Sequence, residues 1–357
     1  GQSRLDYPMI DGVQKGCPHH ILEPQRTNLI PYSQAFDNAS WDKYRGSVTP
    51  NITISPSGNL NAYSFIEDST NNTHVLRYTF SPNANSYTYS FFVKSFSNNR
   101  RVVLNSSFVN NYAIFNLSTG VIDADSGLDD SKIENYGNGW YKCSVTKANN
   151  TNSSFDLRLD NGTTDTYLGD GTSGVYIWGA MLEEGSFPTS YIPNNGNAAG
   201  VTRSAETATG AGNSTTFNDS EGVLMAEISA LADDLTTREI SISDGSLSNT
   251  IAFMYNQPSN NFRFLVRASG TTYVDINIIL TDITISNKVA FKYKENSFST
   301  FINGFELGSD NSGLVPTGNV LNELSLTRSS GREFYGKTKQ LQYFDSALAD
   351  TQLEQLT

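Results

Sequence analysis

The stretch Tyr87-Thr88-Tyr89-Ser90-Phe91-Phe92-Val93-Lys94 constrains this chain most, because Tyr87, Tyr89, Phe91 and Val93 fall on every second position. A period of two places those four side chains on one face of a β-strand. Shorter runs of the same kind recur at 112–117, 140–145, 155–159 and 175–182. Turn signals separate them, including Ser118-Thr119-Gly120, Gly137-Asn138-Gly139 and Asp160-Asn161-Gly162. After residue 218 the strand signals resume at 222–229, 238–242, 250–255, 262–268, 272–279, 287–293, 299–302, 321–326 and 337–344. Asn303-Gly304 sits after one of these runs, as a hairpin turn does. The pattern predicts an all-β protein: two antiparallel β-sandwich (jelly-roll) domains in tandem with an extended N-terminal arm.

Boundaries follow from where periodicity stops. Pro8, Gly12, Gly16 and Pro18 crowd residues 1–26, which read as an extended connector. Residues 27–193 carry the first sandwich. Residues 194–218 are small, polar and glycine-rich, with no period, and read as a linker. Residues 219–357 carry the second sandwich. No repeat of 20–50 residues is visible, which disfavours a solenoid or propeller.

Composition narrows the partners. The net charge is −12, charged residues are only 17%, and the chain holds 18 tyrosines and 20 phenylalanines. Only Arg100 and Arg101 are adjacent basic residues, and no basic stripe exists, which disfavours nucleic acid. The same acidity opposes docking on anionic membranes, and no apolar run approaches the roughly 20 residues of a spanning helix. The chain opens abruptly at Gly1-Gln2-Ser3, as a fragment of a longer protein would. Its two cysteines, Cys17 and Cys143, fit one bridge and, at least as well, two free buried thiols.

Two regions resemble known modules. The closing run Phe334-Tyr335-Gly336 through Leu356 has a strand, an Ala347-Leu348-Ala349-Asp350 turn and a terminal helical turn starting after Asp350, a good N-cap residue. That order resembles the end of laminin-G-like, concanavalin-type lectin sandwiches. In this strand Thr338, Gln340, Gln342 and Phe344 should share one face, and Lys339, Leu341 and Tyr343 the other. The run from Leu22-Glu23-Pro24 to Trp41, the phrase Gly137-Asn138-Gly139-Trp140-Tyr141-Lys142-Cys143-Ser144, and the run from Tyr176 to Pro193 resemble a jelly-roll module of bacteriophage tail and surface proteins. Such modules are similar to carbohydrate-binding modules. Val201-Thr202-Arg203-Ser204-Ala205-Glu206 resembles the junction before a concanavalin-like domain in the same proteins. The resemblance implies a virion or extracellular surface, a polysaccharide or cell-surface glycan as partner, and contact with other surface-assembly subunits. A homo-oligomer fits an arm that attaches to a larger body.

Candidate site residues follow from the chemistry of sugars, whose rings stack on aromatic faces. Trp41, Tyr44, Tyr63, Tyr89 and Trp178 are the candidates for carbohydrate contact, and the same side chains also suit the sandwich core. Acidic loops around Asp123, Asp125, Asp165 and Asp170 offer oxygen ligands for a structural calcium; no other cofactor is required. Cys17-Pro18-His19-His20 looks like half of a zinc site, but its only other ligands are the distant His74 and Cys143, so it reads as a turn.

Catalysis finds less support. Residues 196–357 hold no Glu-x-Asp-x-x-Glu-like phrase of the kind that flanks a glycosidic bond, and all three histidines precede them. No nucleophile elbow, phosphate-binding loop or dinucleotide fingerprint is present. Non-catalytic glycan recognition leads. A polysaccharide lyase or glycoside hydrolase, and a purely structural virion protein, remain as alternatives.

Overall fold

The computed structural model describes residues 4–7, 9–10, 13–14, 17–96, 100–105, 111–328 and 331–357. The chain is all-β, with antiparallel sheets and, among the described residues, one helix, Asp350–Leu356. It forms two compact units, Met9–Lys15 with Gln25–Ser204, and Gly1–Pro8 with Gly16–Pro24 and Ala205–Thr357.

In the unit built on Gln25–Ser204, two six-stranded sheets face each other. One runs Val121–Ser126, Tyr112–Asn116, Arg101–Asn105, Ser154–Asp160, Val75–Thr79, Trp41–Tyr44. The other runs Asp130–Gly137, Trp140–Lys147, Tyr87–Ser95, Gly174–Glu184, Leu60–Glu67, Gly46–Ile54. The alternation read in the sequence decides the core: Tyr87, Tyr89, Phe91 and Val93 meet Val102, Leu104, Ala113, Phe115, Phe155, Leu157 and Leu159 between the sheets. Each such large side chain contributes about 1.5–3 kcal/mol by leaving water. Asn138 (φ 51°) and Gly139 (φ 77°) make the left-handed pair that a tight hairpin needs. Pro50, which cannot donate to a ladder, lies in the edge strand Gly46–Ile54.

The other unit packs a seven-stranded sheet on a five-stranded one. The first runs Arg4–Asp6, His19–Leu22, Gly336–Phe344, Glu221–Ala230, Asn287–Lys294, Phe298–Ile302, Phe305–Asp310. The second runs Thr271–Ile279, Asn261–Ala268, Thr250–Asn256, Arg238–Ser243, Glu323–Ser325. Leu224, Ile228 and Phe291 from one meet Ile240, Phe253 and Phe264 from the other. Asn303 (φ 50°) and Gly304 (φ 88°) close the expected hairpin.

The division differs from the sequence reading at both expected connectors. Residues of the expected arm lie within the units: His19–Leu22 pairs with Gly336–Phe344, Arg4–Asp6 pairs outside it, and Leu22 is fully buried. Dense prolines and glycines rule out a helix but not two short strands. The Arg4 guanidinium then bridges Glu23 and Glu206. The expected linker is likewise used up. Val201–Arg203 pairs with Arg26–Asn28, while Ala208 and Ala211 bond to Leu326 and Leu324, and Phe217 enters the core.

The closing strand also departs from simple alternation. A bulge opposite Glu227 and Ile228 turns Lys339 away from the core face that Leu341 and Tyr343 keep, and Lys339 Nζ bonds Glu227 Oε1 at 2.6 Å. Ala349, not Asp350, precedes the terminal helix as its N-cap, its N–H donating to Gln352 Oε1 at 3.0 Å. Asp350 is the first helical residue and pairs with Lys292. Leu353 anchors this helix on Val223, Met225, Ala290 and Phe301.

Candidate functional site

Each strand of the Gln25–Ser204 unit turns one face to the partner sheet and the other away from it. In Ser154–Asp160, Phe155, Leu157 and Leu159 go inward, so Asp156, Arg158 and Asp160 point away from the core, each still buried among its neighbours. In Arg101–Asn105 the inward pair Val102 and Leu104 leaves Arg101, Val103 and Asn105 outside. In Tyr112–Asn116, Ala113 and Phe115 leave Tyr112, Ile114 and Asn116 outside. The ladder register then brings Asp160 opposite Arg101, Arg158 opposite Val103, and Tyr112 opposite Asn105.

Each arginine on this face holds one or two aspartates. Arg158 bonds Asp156 and Asp165, each at 3.0 Å. Arg101 bonds Asp160 and Asp123, each at 2.9 Å. Arg77 grips Asp156 through Nε and Nη2 at 2.7 and 2.9 Å. The Asp156 hydrogen bond holds the Arg77 guanidinium above its ordinary value despite partial burial. Burial pulls the Arg101 guanidinium down, and the Asp123 and Asp160 bonds more than offset it.

A loop gives the face its wall. Asp160 Oδ1 accepts the Gly162 N–H at 2.7 Å, and Asn161 Oδ1 accepts the N–H groups of Thr163 and Thr164, both at 3.0 Å. Gly162 has φ 100°, a conformation that side-chain-bearing residues rarely adopt. The chain then rejoins the ladder at Thr166–Leu168, paired with Asn71–Thr73. The result is a cleft of ≈ 500 Å³ whose lining includes Val103, Asn105, Tyr112, Ile114, Arg158 and Thr163. Its chemistry is that of a hydroxyl-binding groove: an aromatic ring, an amide, hydroxyls and carboxylate acceptors over a small apolar floor.

The five aromatic residues expected from sequence separate by burial. Trp41 is 1% exposed, packs on Phe36, Tyr78 and Phe91, and donates its Nε1–H to Tyr32 O at 2.9 Å. Tyr89 is fully buried against Phe155, with ring centroids 4.7 Å apart. Tyr63 is buried with its hydroxyl on Asp37, and Trp178 is buried against Phe92 and Tyr191 on the far face of the second sheet. These four offer no open ring face in this structure. Tyr44 alone of the five is exposed, at 42%, on the outer face of the edge strand Trp41–Tyr44, and Asn72 Nδ2 donates to its hydroxyl. Alternation marks two faces of a strand and cannot say which one the partner sheet covers.

The four aspartates considered for calcium do not gather. Asp123 and Asp165 are engaged by Arg101 and Arg158, and Asp125 accepts the Ser131 hydroxyl at 2.8 Å. Asp170 accepts the hydroxyl of Ser173 at 2.5 Å and the N–H groups of Thr172 and Ser173, which hold its carboxyl well below the usual range. Among the described residues no group of three or more His, Cys, Asp or Glu side chains is placed to hold a metal. Cys17 is exposed and Cys143 buried, and both thiols are free.

Tyr112, Asn105, Arg158 and Asp160 escaped the sequence reading. The available signal was Asp156-Leu157-Arg158-Leu159-Asp160, where charge on every second position marks a built polar face rather than a bare one.

No family model matches the sequence, and no curated protein matches it. Solved structures give partial superpositions. The CBM40 module of the Ruminococcus gnavus IT-sialidase, bound to α2,3-sialyllactose, is 16% identical over 42% of this chain and 94% of its own, with a TM-score of 0.35. Domains LG4-5 of the mouse laminin α1 chain are 11% identical over 79% of this chain and 90% of their own, with a TM-score of 0.27. The SAP-like pentraxin of Limulus polyphemus is 11% identical over 38% and 68%, with a TM-score of 0.31. At such scores no ligand carries over to this chain.

Proposed function

We propose that this chain recognises a glycan without cleaving it, at the outer face of the sheet that carries Arg101–Asn105 and Ser154–Asp160. The observation that carries the reading is the cleft beside Tyr112, where an aromatic ring adjoins amide, hydroxyl and carboxylate groups. Sugars need that mixture: an apolar ring face to stack on, and acceptors for several hydroxyl protons. Hydrolysis needs a carboxyl kept protonated opposite a second carboxylate. Here Asp160 and Asp165 are each committed to an arginine, which suits them to accept hydrogen bonds.

The setting is a virion or other extracellular surface, supported by the jelly-roll phrases of the sequence. Weak single-site binding would there be raised by multivalency among subunits. Native electrophoresis through gels cast with a polysaccharide panel tests the reading. Retardation by at least one polymer, lessened by Tyr112→Ala in a folded protein, supports it. Uniform mobility across the panel moves the role to a structural one.

A further inference from the structure

We infer that the ligand of this face is an uncharged, linear glycan of about four sugar rings, an inference that rests on the glycan reading above. Two observations carry it, the charge count of the face and the spacing of the exposed Tyr44 and the half-buried Tyr112.

The guanidiniums facing outward are Arg77, Arg101 and Arg158, and each already holds a carboxylate. The carboxylates they meet are Asp123, Asp156, Asp160 and Asp165, and Asp42 sits opposite Arg77 on the next strand. Three positive groups therefore face five negative ones. At the edge, Arg45 over the Tyr44 ring is matched by Asp68 at 3.9 Å. A sulfate or uronate entering the cleft would have to displace a bonded aspartate from its arginine and then sit in a surplus of negative charge. Truncating or displacing one member of a desolvated pair is strongly unfavourable, and like-charge juxtaposition adds to it. Neutral hydroxyls meet no such barrier. They donate to carboxylate oxygens whose geometry the arginines have fixed in advance.

The length follows from the sheet. Tyr44 lies on the edge strand Trp41–Tyr44 and Tyr112 on Tyr112–Asn116, with Val75–Thr79, Ser154–Asp160 and Arg101–Asn105 between them. Four interstrand spacings put the two rings about 19 Å apart, the length of about four pyranose rings in an extended chain. A glycan crossing the strands would stack on one tyrosine near each end and pass over Arg158, whose carboxylate partners lie on either side.

Matched polymer pairs test this with the full chain: dextran against dextran sulfate, and hydroxyethyl cellulose against carboxymethyl cellulose, with galactomannan and alginate added. The expected result is retardation by a neutral polymer, greater than by any charged counterpart, and unchanged between about 20 and 500 mM NaCl, since screening acts only on charge. Calorimetry with oligosaccharides cut from the retarding polymer should show affinity rising up to about four rings and levelling off beyond. Tyr44→Ala and Tyr112→Ala should each weaken the four-ring ligand about tenfold and a two-ring ligand unequally. Retardation by a charged polymer alone, weakening as salt rises, overturns the neutral assignment and leaves glycan recognition standing. A plateau at one ring overturns the length. Retardation by none of the six polymers overturns the glycan reading itself.

Discussion

The Glu67 carboxylate receives Arg100 through Nε at 2.8 Å and Nη2 at 2.6 Å, with its own side chain fully out of water. Tyr167 donates its hydroxyl to the same carboxylate at 2.6 Å, and the Asp170 N–H does so at 3.0 Å. Arg100 also lies over the Tyr167 ring, 4.9 Å from its centroid. One buried carboxylate thus ties strand Leu60–Glu67 to the Thr166–Leu168 strand and the turn after it. Glu67→Ala should cost about 3–5 kcal/mol of stability in urea unfolding, because it strands a buried guanidinium and a phenol. A loss under about 1 kcal/mol would show that solvent already shares the pair.

Trp41 and Tyr112 should respond in opposite ways. Trp41→Ala removes a core ring and should destabilise by about 3–5 kcal/mol. Tyr112→Ala, at a half-buried ring outside the core cluster, should cost about 1 kcal/mol or less while weakening glycan binding. Equal stability losses for the two would place Tyr112 in the packing and remove it from the site.

Asp170 supplies a pH signature. Its folded carboxyl is held low by the Ser173 hydroxyl and by two backbone N–H groups, so its contribution is present above the ordinary carboxylate value and lost on acidification. Asp170→Asn should therefore lower the melting temperature at neutral pH, and the gap from the parent should narrow as pH falls below about 4. A gap constant from pH 7 to pH 2 would show that the turn holds without the charge.

Gly174→Ala should be poorly tolerated. A Cβ there would lie 2.0 Å from the Phe65 carbonyl oxygen, a backbone atom that cannot swing aside. The expected cost is about 3 kcal/mol, at the upper end of ordinary overpacking, read from the unfolding midpoint. A variant as stable as the parent would mean that the strand pair Gly174–Glu184 and Leu60–Glu67 can slide apart there.

Thiol labelling separates the cysteines. Burial pushes the Cys143 thiol far above its ordinary value, while Cys17 is exposed. A thiolate-selective reagent should therefore modify one thiol per native chain, Cys17, and the second only on unfolding. Rapid labelling of both in the native protein would mean that the core around Cys143 opens.

Much of the architecture was legible in particular residues. Tyr87, Tyr89, Phe91 and Val93 specified a strand with an apolar core-facing side, and Asn303-Gly304 specified a hairpin in the other unit, because both depend on local stereochemistry alone. Leu22 was different. It became a core residue only because His19–Leu22 found an open edge beside Gly336–Phe344, more than 300 residues away. The bulge that turned Lys339 outward likewise has no local marker.

The binding face divides in the same way. The sequence by itself determined that Asp156, Arg158 and Asp160 share one side of a strand and that two sandwiches form, since the period of two and the turn residues act over a few bonds. Only the tertiary structure decided that this side turns away from the partner sheet, that Trp41 and Tyr89 lie in the core while Tyr44 and Tyr112 stay out of it, and that each arginine meets its aspartates. The physical reason is that sheet pairing and sheet stacking are long-range choices, made by the total apolar area buried, and no single strand encodes which of its faces will be covered.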